Sequence, residues 1–359
     1  MGTHNVWHAP VTNSLPVIDL APFADAARAD PHAAGVAAQL DTALCSTGFV
    51  LLANHGVTPV AKQGLLDAMH QFFALPHEEK NRLSIANSSA HRGYVGIAAE
   101  SLDNANTMAG DLKETLDTGP EHADDHPEVV AGTPLHGPNQ IPDLPGFRAA
   151  FEDYRSQVIE AAERAQRAMA LALGCAPDAL LTLGETFYNL RMIHYPARSR
   201  VTPEAGQLGC GAHTDYGSLT LLADDGVGGL QVMQRNGQWI DITVPDDMLV
   251  MNLGDLMAIW TNDRWVSNPH RVVNPPAQDR YSIPLFVTPP YHAWIECLPS
   301  CSAGGAKYAP MQAGPYLLSR FDATHSYRNE LLAAYNETTE RQPTGNSTAR
   351  RPRPDTPTT

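Results

Sequence analysis

Apolar residues in the first half of the chain recur mainly at helical spacing. Between residues 147 and 173, large apolar residues stand three or four positions apart, and Gly174 follows them. This spacing places the apolar side chains on one side of a helix, and glycine is common just beyond a helix end. Similar patterns predict a helix from Ala33 to Cys45 and another that begins at Pro59. We expect these helices to pack against a sheet.

After Thr186 the pattern changes to short runs rich in β-branched and aromatic residues, separated by Gly, Pro, Asn and Asp. The predicted strands are 15–20, 48–52, 188–195, 218–222, 229–233, 239–242, 249–252, 270–273 and 281–287. Many short strands divided by turn residues favour a sandwich or jelly roll over a parallel α/β sheet. The predicted fold class is therefore α+β, with a jelly-roll (double-stranded β-helix) core and flanking helices.

These patterns also divide the chain into segments. We predict an N-terminal arm (1–14), a helical and β region that packs on the core (15–185), the jelly-roll core with a C-terminal extension (186–327) and a tail (336–359). From Asn336 onward the sequence is rich in Thr, Pro and Arg and almost lacks large apolar residues. Such a composition cannot bury enough apolar surface to fold, so the tail is predicted to be disordered.

Composition narrows the possible partners and the compartment. The 359 residues include 24 basic and 39 acidic side chains, for a formal net charge of -15. This charge argues against binding to nucleic-acid phosphates or to anionic lipid. The five cysteines are scattered without the pairing of a zinc ribbon, and the chain shows neither a signal peptide nor an apolar run of membrane-spanning length. We therefore expect a cytoplasmic protein with free thiols, and no oligomeric state is predicted.

The strongest candidate chemistry is a set of metal ligands. His213 and Asp215 stand two apart on a predicted strand, so both side chains point to the same face, and His270 follows 55 residues later. Two imidazoles and one carboxylate form the facial set of non-haem Fe(II) oxygenases. Because the chain has 15 histidines, the His-x-Asp pair alone is weak evidence. Three ligands and an open position would also suit a zinc hydrolase.

A second pair of residues points to an anion site. Arg280 and Ser282 again stand two apart on a predicted strand, so a guanidinium and a hydroxyl project together. A guanidinium binds a carboxylate through two charge-assisted hydrogen bonds, and the hydroxyl can supply a third. The alternative is that Arg280 pairs with a structural carboxylate of the protein.

Taken together, these motifs make the chain resemble the 2-oxoglutarate- and Fe(II)-dependent dioxygenases of the isopenicillin N synthase-like branch. The matching motifs are His213-Thr-Asp215-Tyr-Gly-Ser, Gly228-Gly-Leu-Gln-Val, Val250-Met-Asn-Leu-Gly-Asp255, Asn268-Pro-His270-Arg-Val-Val and Arg280-Tyr-Ser282, in the family's order. The resemblance implies that Fe(II) is held by His213, Asp215 and His270, and that the distal carboxylate of 2-oxoglutarate is held by Arg280, Ser282 and Tyr195. It implies O2-dependent oxidation of a C–H bond of a small molecule, hydroxylation by default with desaturation or cyclisation as variants, giving succinate and CO2.

Rival functions fit the sequence less well. An iron oxidase that uses no oxoacid and a zinc hydrolase would both leave the Arg280-Ser282 pair unexplained. A jelly-roll module that binds metal and senses a ligand without catalysis is favoured by the loss of a metal ligand, and none is lost here. The oxygenase is therefore the preferred prediction.

Strand alternation also suggests which residues line a substrate pocket. Asn189 and Arg191 share a strand face with Tyr195, and Phe286 shares one with Arg280. Arg191 lies in an apolar run, so we expect it to meet either a substrate anion or a core carboxylate. Tyr216 and Phe286 could form an aromatic slot over the metal.

Two weaker indications concern the substrate and its entrance. The closest resemblance is to thymine hydroxylase-like and bacterial relatives, which makes a flat, heteroatom-rich substrate conceivable. The charged run 111–117 resembles a segment near the pocket entrance of these relatives. From composition alone we expect this run to be solvated, with no catalytic role.

Overall fold

A computed structural model describes residues 15–25, 30–103, 109–325 and 328. The predicted N-terminal arm and tail lie outside these residues. Within the described part of the chain, every helix is too short or too polar to cross a membrane.

The helices observed in the described chain are α1 (Ala33–Ser46), α2 (Pro59–Phe73), α3 (His77–Asn81), α4 (Pro127–Val130), α5 (Phe147–Ala172), α6 (Asp255–Trp260) and α7 (Ala313–Thr324). The strands are β1 (Val17–Asp19), β2 (Phe49–Ala53), β3 (Gly93–Val95), β4 (Glu114–Asp117), β5 (Phe187–Tyr195), β6 (Cys210–His213), β7 (Leu219–Asp224), β8 (Leu230–Met233), β9 (Trp239–Asp241), β10 (Leu249–Leu253), β11 (His270–Val272), β12 (Arg280–Thr288), β13 (Trp294–Ile295) and β14 (Met311–Gln312). The predicted helices at 33–45, from Pro59 and at 147–173 correspond to α1, α2 and α5.

Two sheets form the core. The major sheet has eight strands in the order β1-β2-β10-β7-β12-β5-β4-β3, and the minor sheet has four in the order β6-β11-β8-β9. β1 and β2 pair in parallel, whereas the strands around the core pair antiparallel. The predicted α+β class, with a jelly-roll core and flanking helices, is confirmed.

Side chains alternate across the major sheet and separate two apolar clusters. On β5, Leu190 and Met192 belong to the large cluster that includes residues of α1, α2 and α5. Ile193 and Tyr195 belong instead to a second cluster together with residues of the minor sheet. Because neighbouring residues of a strand point to opposite faces, one face of β5 packs on helices while the other faces the space between the sheets.

A tight backbone contact holds the loop after β6 against the end of β10. The Asp255 amide donates to the Asp215 carbonyl at 2.8 Å, and the Gly254 amide donates to the Ser218 carbonyl at 3.1 Å. A Cβ atom at Gly254 would clash with the backbone of Gly217. This position therefore requires glycine because of close approach between two backbone segments.

Replacing Gly254 with alanine is expected to lower the free energy of unfolding by about 1–3 kcal/mol, the usual cost of overpacking. Gly35 offers a control, since a Cβ there meets nothing within 4 Å and lies in α1. Gly35→Ala should be neutral or stabilising by up to about 1 kcal/mol. Urea unfolding followed by circular dichroism measures both, and equal midpoints for the two variants would contradict the packing argument.

Candidate active site

The two histidines of the predicted metal set lie side by side on the minor sheet. His213 ends β6, His270 begins β11, and the two residues are directly paired across the antiparallel strands. Asp215 follows two residues after the end of β6. Its Oδ1 atom lies 3.7 Å from Nε2 of His213 and 3.7 Å from Nε2 of His270. The structure therefore brings together one potential ligand atom from each of the three predicted residues.

Backbone carbonyls orient both imidazole rings. His213 Nδ1 lies 2.8 Å from the Gly211 carbonyl oxygen, and His270 Nδ1 lies 3.3 Å from that of Asn268. A carbonyl can only accept a hydrogen bond, so in the neutral rings the proton is on Nδ1 and the Nε2 lone pair points toward Asp215. Such second contacts commonly fix the tautomer of a metal-binding histidine.

The Asp215 carboxylate is anchored through its other oxygen. The Thr220 hydroxyl and the Asn252 amide each donate to Oδ2 at 2.6 Å, and these two residues face each other across β7 and β10. The sequence analysis assigned them no role. The available signal was a polar residue in each of two otherwise apolar strands, at positions that share the inner face of the sheet.

The electrostatics of the three side chains suit a divalent metal. Burial opposes ionisation of Asp215, but the adjacent His270 and His213 rings and the two hydrogen bonds outweigh it, so the pKa of the carboxyl lies below its usual value. Burial, with a smaller effect of His213, lowers the pKa of His270 to about 4. Neutral pH therefore leaves an ionised carboxylate and a neutral His270 imidazole, the forms that bind metal. Two imidazoles and a carboxylate fit a ferrous ion.

An inner pocket of about 560 Å³ extends from the triad to the facing strands β5 and β12. Arg280 lies in it and is 1% exposed. Its Nη2 atom is 3.4 Å from Asp224 Oδ2, while Nε and Nη1 are buried without a hydrogen-bond partner among the described residues. A buried cation with unused donors is costly unless an anion meets it. The pocket therefore fits a ligand that carries a carboxylate.

Ser282 and Tyr195 lie next to this guanidinium. Arg280 and Tyr195 are paired across β12 and β5, and the guanidinium carbon lies 4.9 Å from the centre of the Tyr195 ring. Burial raises the pKa of Tyr195 to about 12 even though Arg280 and a hydrogen bond with Ser282 oppose the shift. At neutral pH the phenol therefore keeps its proton and can donate it in a hydrogen bond to an anion.

An outer cavity of about 640 Å³ lies on the other side of the triad. All four residues predicted to line a substrate pocket, Asn189, Arg191, Tyr216 and Phe286, contribute to its wall. Arg191 and Phe286 also line the inner pocket. The two cavities therefore meet beside the triad.

Arg191 forms ion pairs with protein carboxylates, which was one of its two predicted environments. Its Nη1 atom donates to Glu100 Oε2 at 3.1 Å and Oε1 at 3.2 Å, and its Nε donates to Asp117. The guanidinium carbon lies 5.8 Å from the centre of the Phe286 ring. The charge of Arg191 is thus already matched by the protein.

The expectation that the charged run 111–117 is solvated is wrong. Asp111, Lys113, Glu114 and Asp117 are all buried, because β4 lies between β3 and β5 in the major sheet. Lys113 Nζ contacts Asp111 at 2.5 Å and Glu100 at 3.0 Å. Composition indicated an exposed segment, but opposite charges compensate one another inside the fold.

Comparison with known proteins agrees with this geometry. Residues 186–289 match the model of the 2OG-Fe(II) oxygenase superfamily. Residues 15–144 match the model described as non-haem dioxygenase in morphine synthesis N-terminal.

Several relatives align over most of their length. The 2-oxoglutarate-Fe(II) type oxidoreductase hxnY of Emericella nidulans is 36% identical over 330 residues, covering 88% of this chain and 93% of that protein. Homoarginine-6-hydroxylase 2-ODD-C23 of Glycine max is 33% identical over 298 residues, covering 80% of this chain and 88% of that protein. The crystal structure of a full-length Neurospora crassa thymine hydroxylase with alpha-KG superimposes with a TM-score of 0.73 at 32% identity, covering 88% of this chain and 98% of that one.

The matches agree on one class of enzyme and one pair of cofactors, Fe(II) and 2-oxoglutarate. They confirm the enzyme class and the cofactors predicted from the sequence. The chain belongs to the 2OG-Fe(II) oxygenase superfamily and is a 2-oxoglutarate- and Fe(II)-dependent dioxygenase.

Proposed function

We propose that His213, Asp215 and His270 hold the Fe(II) ion, and that Arg280, Ser282 and Tyr195 hold the distal carboxylate of 2-oxoglutarate. The observation that carries this assignment is the buried Arg280 guanidinium, with Nε and Nη1 unpartnered among the described residues. It lies in the pocket that begins at the triad. A dicarboxylate that reaches from the triad to Arg280 would satisfy both ends of the pocket.

When bound together, Fe(II) and 2-oxoglutarate supply the oxidising power for attack on a C–H bond, with succinate and CO2 as coproducts. The residues of the chain bind and orient. Gly211 and Asn268 aim the imidazoles, Thr220 and Asn252 hold the carboxylate, and the outer cavity directs the substrate toward the triad. Hydroxylation is the default reaction of this arrangement.

The substrate we propose is a small, neutral, flat heterocycle. Since Glu100 and Asp117 already balance Arg191, a substrate anion would add negative charge to a site that does not need it. Asn189 Oδ1 is buried without a hydrogen-bond partner among the described residues, and Phe286 offers an aromatic face. These groups suit a ring with amide-like edges, such as a pyrimidine. The related Neurospora crassa enzyme was crystallised with thymine and with 5-formyluracil.

Substrate-stimulated succinate production tests this proposal. The purified chain is loaded anaerobically with Fe(II) and 2-oxoglutarate, then exposed to air with one candidate at a time. Three sets are compared: neutral pyrimidines, cationic amino acids as in the relative named for homoarginine, and aromatic carboxylates. We expect the neutral heterocycles to stimulate succinate formation most. Stimulation confined to the cationic set would contradict the proposal and point to Glu100 and Asp117 as the recognition groups.

Asn189→Ala should raise the KM for the substrate about tenfold, the loss of one or two neutral hydrogen bonds of about 1 kcal/mol each. The KM for 2-oxoglutarate should stay unchanged, because Asn189 lines the outer cavity and not the inner pocket. Asn236→Ala is the matched control, since Asn236 lies in an exposed turn and bonds Gln238. An equal rise in both KM values for Asn189→Ala would place the residue in general structural support.

The division of the chain and its location remain part of the proposal. We place the boundary between the supporting region and the jelly-roll core at 185/186. We also propose a reducing, cytoplasmic environment, in keeping with the five free thiols.

A further inference from the structure

A second group of metal-binding side chains lies away from the active site, just ahead of β5. It consists of His122 and His126, on either side of a short turn before α4, and Glu185. His122 Nε2 is 3.0 Å from Glu185 Oε1, and His126 Nε2 is 3.9 Å from Glu185 Oε2. One potential ligand atom from each residue lies within 4.8 Å of the others.

The spacing of this group resembles that of the active-site triad. In the triad, each imidazole nitrogen is 3.7 Å from the carboxylate oxygen. The corresponding distances of 3.0 and 3.9 Å in the second group are similar. Zinc binds imidazole nitrogen and carboxylate oxygen at about 2.0–2.2 Å, so modest side-chain movements would close either set around an ion. Two imidazoles and one carboxylate, with water as a fourth ligand, are a common zinc set.

His122 is suited to be a ligand in its neutral form. The side chain is 1% exposed, and burial lowers its pKa, assisted by the nearby His136 and His126 and opposed by Glu185. A neutral imidazole forms no strong ion pair with Glu185 and keeps a lone pair. Nδ1 of His122 has no hydrogen-bond partner among the described residues, so no contact prevents the proton from residing there and leaving Nε2 free for a metal.

His126 has a competing contact. Its Nδ1 atom accepts a hydrogen bond of 3.3 Å from the Glu128 amide at the start of α4. Binding of a metal at Nε2 requires the proton on Nδ1, so this contact must be given up. The His126 side chain is 32% exposed, which leaves the ring room to turn. The exchange is therefore a loss of one long hydrogen bond for one metal bond.

We propose that His122, His126 and Glu185 form a second, structural site for a divalent transition-metal ion, with zinc as the expected occupant. The ion would tie the loop between β4 and α4 to the residue before β5. His136 packs against His122, with ring centres 4.9 Å apart, and against Phe187 at the same distance. Phe187 clusters with Leu317 and Phe321, which line the outer cavity. The site would thus brace one wall of the substrate cavity.

The test separates this site from the active site. Full-length chain carrying His213→Ala and Asp215→Ala is freed of metal and dialysed against Zn²⁺ at micromolar concentration, and bound metal is counted. We expect one zinc per chain to remain. Adding Glu185→Gln should weaken binding at least about tenfold, since a direct ligand should matter no less than an outer-shell partner. Co²⁺ in place of Zn²⁺ should give visible absorption bands that Glu185→Gln removes.

Exposed positions keep the test independent of folding. The Glu185 side chain is 53% exposed, so Glu185→Gln should leave the fold intact, and His126→Gln provides a second variant. His292→Gln is the matched control, because His292 is 61% exposed and contacts Glu128 at 3.3 Å without belonging to the group. Absence of bound zinc in the triad-deleted chain, or equal affinity in the Glu185→Gln, His126→Gln and control variants, would overturn the proposal.

Discussion

Replacing Asp215 with alanine is expected to abolish 2-oxoglutarate turnover. Its carboxylate is the anionic member of the triad, with one oxygen 3.7 Å from both imidazole nitrogens. Loss of an outer-shell partner typically lowers metal affinity about 10–100-fold, and loss of the anionic ligand itself should cost more. Iron per chain and succinate formed in air measure the result.

Graded variants make this prediction specific. Thr220→Val removes one of the two hydrogen bonds to Asp215 Oδ2 and should weaken iron binding by about 10–100-fold without eliminating it. Asp241→Ala is the control, because Asp241 is exposed on β9 of the same sheet and contacts Gln231. Thermal unfolding checks that each variant is folded. Full iron content in folded Asp215→Ala would refute the assignment of the triad.

Replacing Arg280 with alanine is expected to weaken 2-oxoglutarate binding far more than iron binding. The guanidinium is buried, and breaking a buried hydrogen-bonded charge pair costs roughly 2–5 kcal/mol. At about 1.4 kcal/mol per factor of ten, this corresponds to a loss of roughly 30- to 4,000-fold in affinity. Anaerobic titration of the Fe(II) form, followed by its weak visible charge-transfer band, gives the dissociation constant.

A shorter oxoacid separates the clamp from general damage. 2-Oxobutyrate has the same keto-acid end as 2-oxoglutarate but lacks the distal carboxylate, so its weaker binding should be nearly insensitive to Arg280→Ala. Arg280→Lys keeps the charge but loses the planar fork and should fall between wild type and alanine, with less disturbance of Asp224. Arg271→Ala, at a partly exposed arginine packed on Trp239, is the matched control. Equal loss of both oxoacids in Arg280→Ala would reject the clamp role.

Local periodicity predicted the parts of the site that depend on alternation along one strand. The face shared by Asn189, Arg191 and Tyr195 follows from the two-residue period of β5, and the structure has all three lining the cavities. The amphipathic α5 was equally readable, since its apolar spacing extends over 26 residues. Such features depend on neighbours in sequence, so the sequence alone contains them.

Contacts between distant segments were not predictable in the same way. Glu100 and Asp117 pair with Arg191 over sequence separations of 91 and 74 residues, and no periodicity indicates which carboxylate will meet a given arginine. The run 111–117 was misassigned for a related reason, because charge content reports burial only when the partners are known. Thr220 and Asn252 acquire their role from the register of β7 and β10, which the sequence does not specify.

That register also controls the denticity of the acidic ligand. Thr220 and Asn252 occupy Oδ2 of Asp215 with two short hydrogen bonds, so only Oδ1 is offered to a metal. A carboxylate that bound through both oxygens would consume an additional coordination position. Restricting Asp215 to one oxygen leaves room on an octahedral ion for a chelating oxoacid and for dioxygen together. A threonine and an asparagine that never touch the metal would thus preserve the vacancy on which oxygen activation depends.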